Sequence, residues 1–145
     1  MSSAPPLDPP LPQAAAVPYR WRGETPEFCL ITSAQKAHWA FPKGMIDPGE
    51  TWAETALKEA YEEAGLRGAI EGPPLGSYAY AKWGQQLEVT VGLLRVDEEL
   101  EAWEEAGVRS RRWAEEAEAL TLIDRAELRH LLTIAAQRLR AERKA

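Results

Sequence analysis

The chain has 145 residues, of which 45% are hydrophobic and 28% are charged, a composition typical of a globular protein. This length suits one folded domain with a single core. The formal net charge is −6, so binding to nucleic acid or to an anionic membrane through bulk charge is not expected. A small anionic ligand then has to be bound by local basic groups or through a metal ion.

The cysteine content and the apolar segments bear on the cellular compartment. Cys29 is the only cysteine and cannot form an internal disulfide, so a reducing compartment is expected. Its position in the apolar run Phe-Cys-Leu-Ile favours a role as a small core residue. No apolar run reaches the roughly 18 residues that span a bilayer, and the N-terminus does not resemble a secretion signal. The expected location is the cytoplasm.

The N-terminal part of the chain predicts a leader followed by two strands. Residues 1–13 contain five prolines, so we expect a disordered or extended leader before one domain over residues 14–145. The segments 14–21 and 27–34 have strand composition around the turn-prone sequence Arg-Gly-Glu-Thr-Pro. Pro18 predicts that the first strand lies at a sheet edge or carries a bulge.

A helix with clear start and stop signals is predicted over residues 52–64. Thr51 as N-cap and Glu54 three positions into the helix form a capping box. Gly65 is a C-terminal stop signal, and the turn-forming pair Pro48-Gly49 precedes the helix.

The second half of the chain predicts a hairpin, a short strand and a long helix. Residues 76–83 and 86–96 have strand patterns around Gly84. A short strand is expected at 110–115 and an amphipathic helix at 123–143. The apolar face of that helix holds Leu128, Leu131, Leu132 and Ala135. Strands on both sides of one central helix, with a second helix at the end, predict a mixed α+β sandwich.

Three glutamates share one face of the predicted central helix, because Glu59, Glu62 and Glu63 stand at positions i, i+3 and i+4. Grouped carboxylates suit a divalent cation such as Mg²⁺, which binds a few protein oxygens and leaves other positions to water and phosphates. The opposite flank is small and apolar, which would hold the helix close against a sheet. For this segment taken alone, a solvated acidic face is the alternative.

The residues around these glutamates resemble the Nudix box, whose pattern is G-x5-E-x7-R-E-U-x-E-E-x-G-U with U aliphatic. Here the pattern begins at Gly44, passes Glu50 and ends in Lys-Glu-Ala-Tyr-Glu-Glu-Ala-Gly-Leu over residues 58–66. Lys58 replaces the usual arginine, which keeps a charge pair with Glu50 but loses the two-pronged guanidinium contact. Ala60 is a small occupant of the aliphatic position. Neither departure removes a metal ligand of the family pattern.

The resemblance implies a fold and a chemistry. The implied fold is an α/β/α sandwich with a mixed sheet, a box that forms a loop and helix, and a C-terminal helix. The implied activity is hydrolysis of a pyrophosphate bond in a substrate that links a nucleoside diphosphate to another group, with Mg²⁺ or Mn²⁺ as cofactor.

The resemblance also implies roles for individual residues. The catalytic metal ligands by position are Glu59, Glu62 and Glu63, with the backbone carbonyl of Gly44 and an acidic residue outside the box, Glu104 or Glu105, of which we choose Glu105. Glu59 or a glutamate outside the box orients the attacking water. Glu50 and Lys58 form a structural pair.

Two branches of the family are similar to this chain. Trp39 before Phe-Pro-Lys-Gly looks like the diadenosine polyphosphate hydrolases, whereas segments 27–34 and 76–83 are similar to the diphosphoinositol polyphosphate phosphohydrolases. The inositol enzymes usually have glycines where this chain has Pro42-Lys43, so a diadenosine polyphosphate is the expected substrate. Hydrolysis of ADP-ribose or another nucleotide sugar, and a non-catalytic nucleotide-binding regulatory domain, are the alternatives.

Several side chains outside the box are candidates for substrate binding, although scattered surface charges are an equally good interpretation of each one. The candidates for phosphate contacts are Arg20, Ser33, Lys43 and Lys82, with Arg22 and Lys36 nearby in sequence. Lys43 and Arg20 are preferred. The aromatic residues Tyr78, Tyr80 and Trp83 suit either stacking on a base or packing, and packing is favoured. The expected oligomeric state is a monomer or a homodimer.

Overall fold

The computed structural model describes residues 9–33 and 38–144. Over these residues it contains seven strands and three helices. They are β1 (Leu11–Arg22), β2 (Thr25–Thr32), β3 (Trp39–Ala40), β4 (Lys43–Met45), α1 (Trp52–Ala64), β5 (Leu66–Lys82), β6 (Gln85–Glu99), β7 (Arg111–Glu115), α2 (Glu116–Leu122) and α3 (Ala126–Lys144).

The strands form one mixed sheet in the order β3-β2-β1-β6-β5, with β4 also pairing with β1 and β7 with β2. The strands β1 and β6 run parallel, from Leu11 opposite Leu87 to Tyr19 opposite Arg95. The pairings of β1 with β2 and β4, and of β5 with β6, are antiparallel. The mixed sheet that the family resemblance implied is therefore confirmed.

Helices cover both faces of this sheet, because successive side chains of a strand point to opposite faces. In β1, Ala14 and Ala16 belong to the same buried cluster as the alanines of α1. The alternate residues Ala15 and Val17 belong to the cluster that contains the apolar face of α3. The α/β/α sandwich of the α+β class is thus confirmed, with a separate core on each side of the sheet.

The helix α1 lies close to the sheet because its inward residues are small. Ala56, Ala60 and Ala64 are fully buried. Its capping box is formed as predicted: the N–H of Glu54 donates to Thr51 Oγ1 at 3.1 Å, and the N–H of Thr51 donates to Glu54 Oε1 at 3.0 Å. At the other end Gly65 adopts a left-handed conformation with φ of 66°, which a glycine adopts without strain. Both ends of the box helix are therefore fixed by local contacts.

The two β strands around Gly84 form the predicted hairpin. Lys82 pairs with Gln85 across the turn, and the two central residues Trp83 and Gly84 have φ of 54° and 73°. Positive φ at both positions is the geometry of a two-residue type I′ turn.

The prediction that Pro18 marks an edge strand or a bulge is wrong, because β1 lies between β2 and β6. Pairing with β4 covers Gln13 to Ala15, and pairing with β2 starts at Tyr19. Pro18 therefore lies where that side of β1 changes partner, and its missing N–H costs no bond in either ladder.

Three other predicted boundaries differ from the structure. The first strand begins at Leu11 rather than at residue 14, while residues 1–8 of the predicted leader and Ala34 of the predicted strand 27–34 lie outside the described residues. The strand β5 begins at Leu66 and contains an irregularity between Glu71 and Gly76. The predicted helix 123–143 is α3 alone, preceded by the short helix α2, because the buried Ile123 has an extended backbone that separates them.

Cys29 is fully buried in the core, as predicted. Burial raises the pKa of its thiol to about 12, so the thiol stays protonated and unreactive at neutral pH. Within the described residues, no helix combines the length and apolar character needed to cross a membrane.

Candidate active site

A cleft of about 280 Å³ brings predicted site residues from four separate segments together. It is lined by Gln13, Ser33, Ala40, Phe41, Lys43, Glu63, Tyr80, Lys82 and Arg109. Box, strand and loop residues thus share one cavity, although they are far apart in the sequence. Three of the four predicted phosphate contacts, Ser33, Lys43 and Lys82, are among them.

Glu63 is the box glutamate that faces this cleft, and it is only 7% exposed. Its Oε1 accepts the backbone N–H of Lys43 at 2.9 Å, and its Oε2 lies 3.1 Å from Arg109 Nη2. Burial raises the pKa of Glu63 to about 7, against the lowering effects of Arg109 and of the Lys43 N–H. The Glu63 carboxylate is thus fixed by one contact from β4 and one from the loop before β7.

Glu59 lies one turn earlier on α1, against the backbone of β4. A β-carbon built at Gly44 would be 2.5 Å and 2.7 Å from the two carboxylate oxygens of Glu59. A side chain at position 44 would therefore require the Glu59 carboxylate to move. Burial, followed by repulsion from Glu63 and Glu62, raises the pKa of Glu59 to about 7.

Glu62 and Glu105 meet where the loop before β7 packs on the C-terminal end of α1. The N–H of Glu105 donates to the carbonyl of Glu62 at 3.2 Å. In the same loop Trp103 Nε1 donates to the carbonyl of Glu63 at 3.0 Å, and Arg111 Nη1 donates to that of Ala64 at 2.7 Å. These donors satisfy carbonyls that a helix end leaves free. The predicted outer ligand Glu105 is thereby placed beside the box helix.

Arg109 is a cleft residue that sequence reasoning missed. Its Nε lies 2.7 Å from Glu105 Oε1 and its Nη2 lies 3.1 Å from Glu63 Oε2. Its Nη1 donates to the carbonyl of Thr32 at 3.0 Å. The guanidinium therefore joins the box helix, the loop before β7 and the end of β2. The one sequence signal was its i+4 spacing from Glu105, which was not used.

Within the described residues, no group of three or more His, Cys, Asp or Glu side chains is arranged to hold a metal ion. Glu63 contacts Arg109 and the backbone N–H of Lys43, while Glu59 lies against Gly44. The donor chemistry nevertheless fits a hard divalent cation, since all the ligands are oxygens and the crowded carboxylates of Glu59 and Glu63 resist ionisation without a counter-charge. The residue types therefore fit a divalent cation, and the convergence of the three box glutamates on one ion stays a prediction.

Basic side chains lie in and near the cleft. Lys43 Nζ lies 4.8 Å from the centre of the Tyr80 ring, and the Arg125 guanidinium carbon lies 5.4 Å from the same ring. Burial, followed by repulsion from Arg125 and Lys82, lowers the pKa of Lys43. Mutual repulsion among these cations would be relieved by a bound anion. Arg125 is a second basic residue near the cleft that the sequence analysis did not single out.

Arg20, a preferred phosphate contact in the sequence analysis, does not line the cleft. Its Nε lies 3.0 Å from Glu27, its Nη1 lies 3.2 Å from Glu99, and its guanidinium lies 4.0 Å above the Trp113 ring. It is seven positions further along β1 than Gln13 of the cleft, and the strand carries it away from the box. The other neighbouring candidate, Lys36, lies outside the described residues.

Glu50 and Lys58 form the ion pair expected from the box pattern. Lys58 Nζ lies 2.9 Å and 3.0 Å from the two carboxylate oxygens of Glu50, and 3.3 Å from Asp47 Oδ2. Glu50 also accepts from Thr55 Oγ1 at 3.1 Å. The lysine thus contacts both oxygens through one nitrogen, and the pair fastens the box loop to α1.

Substitutions at Lys58 test this pair. Lys58→Arg is expected to keep activity near that of the unchanged protein, since a guanidinium spans the same two oxygens. Lys58→Glu is expected to lower both activity and melting temperature, because it places a third carboxylate beside Glu50 and Asp47. Thermal unfolding and initial rates measure both effects. Equal behaviour of the two variants would contradict the role of the pair.

The raised pKa values of Glu59 and Glu63 predict a pH dependence of stability. From their ordinary value of 4.5 they rise to about 7, so the folded state keeps protons that the unfolded state releases. In metal-free protein the free energy of unfolding should therefore fall as the pH rises from 4.5 to about 7, and then level off. Urea unfolding across this range in EDTA measures it. Glu59→Gln should flatten the curve, and an unchanged slope in that variant would contradict the assignment.

Comparisons with known proteins agree with the fold and the box. The NUDIX domain family model matches residues 10–135. The chain therefore belongs to the Nudix family. Members of this family generally use divalent metal cations and bind small nucleotide-linked substrates.

Two curated proteins and one crystal structure illustrate the likeness. The chain is 36% identical over 103 residues to Nudix hydrolase 13, mitochondrial, of Arabidopsis thaliana, an alignment that covers 64% of this chain and 51% of that protein. It is 49% identical over 43 residues to bis(5'-nucleosyl)-tetraphosphatase [asymmetrical] of Rattus norvegicus, covering 29% of each. A crystal structure of C. elegans Ap4A hydrolase superposes with a TM-score of 0.73 at 26% identity, covering 94% of this chain and 99% of that one. The chain spans about half the length of this Nudix hydrolase 13, 51%.

Proposed function

We propose that the protein is a Mg²⁺-dependent pyrophosphohydrolase whose substrate is a dinucleoside polyphosphate, most simply a diadenosine polyphosphate. The observation that carries the proposal is a cleft lined by Glu63 of the box helix together with the basic residues Lys43, Lys82 and Arg109. The Glu63 carboxylate suits a metal ion, and the basic residues suit a chain of phosphates.

The residues that would hold the metal are Glu59, Glu62 and Glu63, with the carbonyl of Gly44 and, from the loop before β7, Glu105. When bound, the ion neutralises phosphate charge and lowers the pKa of a coordinated water. Mn²⁺ would fit the same oxygen ligands.

The chain's own residues supply binding and proton transfer. Lys43 and Lys82 bind phosphate oxygens, and Ser33 at the end of β2 lies within reach of the same cleft. Glu59, whose carboxylate lies beside Gly44 at the start of the box, is the candidate for the group that accepts a proton from the attacking water. Arg109 fixes Glu63 and Glu105 relative to each other.

The likeness to two dinucleotide hydrolases supports the choice of substrate. One is named as an Ap4A hydrolase and matches nearly the full chain, and the other is named as a tetraphosphatase and matches a short segment. ADP-ribose or another nucleotide sugar is the rival substrate, and a regulatory nucleotide-binding domain is the rival of another class. The presence of all three box glutamates speaks against the regulatory role.

Product analysis with parallel substrates tests the proposal. Diadenosine tetraphosphate, diadenosine hexaphosphate, ADP-ribose and an inositol pyrophosphate are each incubated with Mg²⁺, Mn²⁺ or EDTA. Cleavage of a dinucleotide that EDTA abolishes is the expected result. Faster cleavage of ADP-ribose would overturn the substrate, and nucleotide binding without cleavage of any compound would favour the regulatory domain.

Location and assembly are part of the same proposal. A cytoplasmic location rests on the single buried cysteine, whereas Nudix hydrolase 13 is named as mitochondrial. A monomer or homodimer is proposed, and light scattering on the purified protein distinguishes them. Fractionation of the source cells tests the location.

A further inference from the structure

A second cavity of about 260 Å³ adjoins the cleft at the β5–β6 hairpin. It shares Gln13, Tyr80 and Lys82 with the cleft, so the two cavities are adjacent. Its other lining residues are mainly large and apolar: Leu11, Met45, Trp83 and Leu87. We refer to this second cavity as the hairpin groove. One ligand can therefore occupy both, with a charged part in the cleft and an apolar part in the groove.

Trp83 is the feature of the hairpin groove that the fold does not explain. It is 91% exposed, so its indole buries almost nothing in the folded chain. It also has a φ of 54° in a turn where asparagine, aspartate and glycine are favoured. A large aromatic side chain held in the left-handed region costs stability without a packing gain. Binding of a ligand by the indole ring would explain why a tryptophan is present at this position.

The floor and the rim of the groove suit the same kind of ligand. Leu11 and Met45 are 42% and 39% exposed and line the same groove as Trp83, which gives an open apolar surface. Lys82 Nζ lies 4.4 Å from the centre of the Trp83 ring, at the border with the cleft. The hydroxyl of Tyr80 donates to Gln13 Oε1 at 2.7 Å, which fixes the wall between the two cavities. Lys82 therefore lies between the phosphate-binding cleft and the apolar groove, where the phosphate chain of a ligand would join a flat apolar group.

We infer that the hairpin groove binds the nucleobase of a nucleotide ligand, with Trp83 stacking on the base and Lys82 contacting the first phosphate. This inference rests on the proposed function for the phosphate part of the ligand. Stacking on an indole tolerates any base, because every base offers a flat face. Affinity should therefore depend on the presence of a base more than on its identity.

Binding of two probes with and without a base tests the inference. The probes are a non-hydrolysable ATP analogue and inorganic tripolyphosphate, measured by calorimetry on Trp83→Asn and Trp83→Phe. Asparagine removes the ring but tolerates the left-handed conformation of the turn. Trp83→Asn should weaken binding of the ATP analogue by about tenfold or more and leave the affinity for tripolyphosphate unchanged. Trp83→Phe keeps a ring and should recover most of the affinity.

A second readout follows Trp83 directly. Among the described tryptophans only this one belongs to the exposed large apolar residues, so acrylamide quenches chiefly its fluorescence. The ATP analogue should reduce this quenching, while tripolyphosphate should not. If Trp83→Asn weakened binding of both probes equally, or left binding of both unchanged, the hairpin groove would not be the base-binding site. These measurements detect binding and need no hydrolysis. A protein that hydrolyses none of the substrates could therefore still confirm or contradict base binding in the groove.

Discussion

Glu62→Gln is expected to lower kcat with Mg²⁺ by about a hundredfold or more, because groups that only support a metal ligand already contribute about 10- to 100-fold. The substitution removes one negative charge from the face that Glu59 and Glu63 share. The fold should persist, since the contact of Glu62 with the loop before β7 runs through its backbone carbonyl, which accepts the N–H of Glu105. Initial rates together with the thermal midpoint separate the two effects.

Glu104→Gln is the matched control for this experiment. Glu104 is exposed in the same loop, and the change removes the same charge without altering the box. Its kcat should remain close to that of the unchanged protein. Near-normal turnover of Glu62→Gln would contradict the assignment of the box glutamates. An equal loss in Glu104→Gln would point to a general charge effect, or to Glu104 instead of Glu105 as the acidic residue outside the box.

The parts of the fold that the sequence predicted well are those that depend on neighbouring residues. The helix α1 begins and ends at the predicted residues because Thr51, Glu54 and Gly65 act within one turn of its ends. The hairpin at Gly84 and the buried face of α3 follow from equally local patterns. Such signals need no knowledge of the partner element.

The parts that were mispredicted depend on the sheet as a whole. Pro18 suggests an edge strand only if one strand partner is considered, whereas β1 changes partner along one side at that point. The strand β5 extends back to Leu66 through Gly68 and Gly72, which interrupt any strand pattern in the sequence, because β6 supplies its pairing. The extra length comes from tertiary contacts rather than from propensity.

The candidate site shows the same division. The box residues were located by their spacing, and the structure places Glu63 with Lys43 and Lys82 in one cleft. Arg20 was wrongly assigned to the cleft because the sequence predicts that it lies on a strand but not how far it lies from the box. Arg109 and Arg125 were missed because each reaches the site through a loop or turn whose direction only the fold determines.

Arg109→Ala is expected to lower the free energy of unfolding by about 3 kcal/mol, the cost of leaving a buried charge without its partner. The side chains of Arg109 and Glu63 are only 14% and 9% exposed. The change also removes the contacts to Glu105 and to the carbonyl of Thr32. Urea unfolding of metal-free protein at about pH 8, above the Glu63 pKa of about 7, measures the loss.

Arg112→Ala is the control, since its pair with Glu118 is 45% and 50% exposed. An exposed pair contributes at most about 1 kcal/mol. The double variant Arg109→Ala with Glu63→Gln should be more stable than Arg109→Ala alone, because no charge is then left buried.

The destabilisation caused by Arg109→Ala should depend on pH. Arg109 lowers the pKa of Glu63, so its removal raises that pKa further, and the carboxyl is protonated at about pH 5. The loss caused by Arg109→Ala should therefore be smaller at about pH 5 than at about pH 8. A loss that is independent of pH and no larger than that of Arg112→Ala would mean that Arg109 does not neutralise Glu63. The cleft would then hold its carboxylate through the Lys43 N–H alone, and the loop before β7 would not be coupled to the box helix through charge.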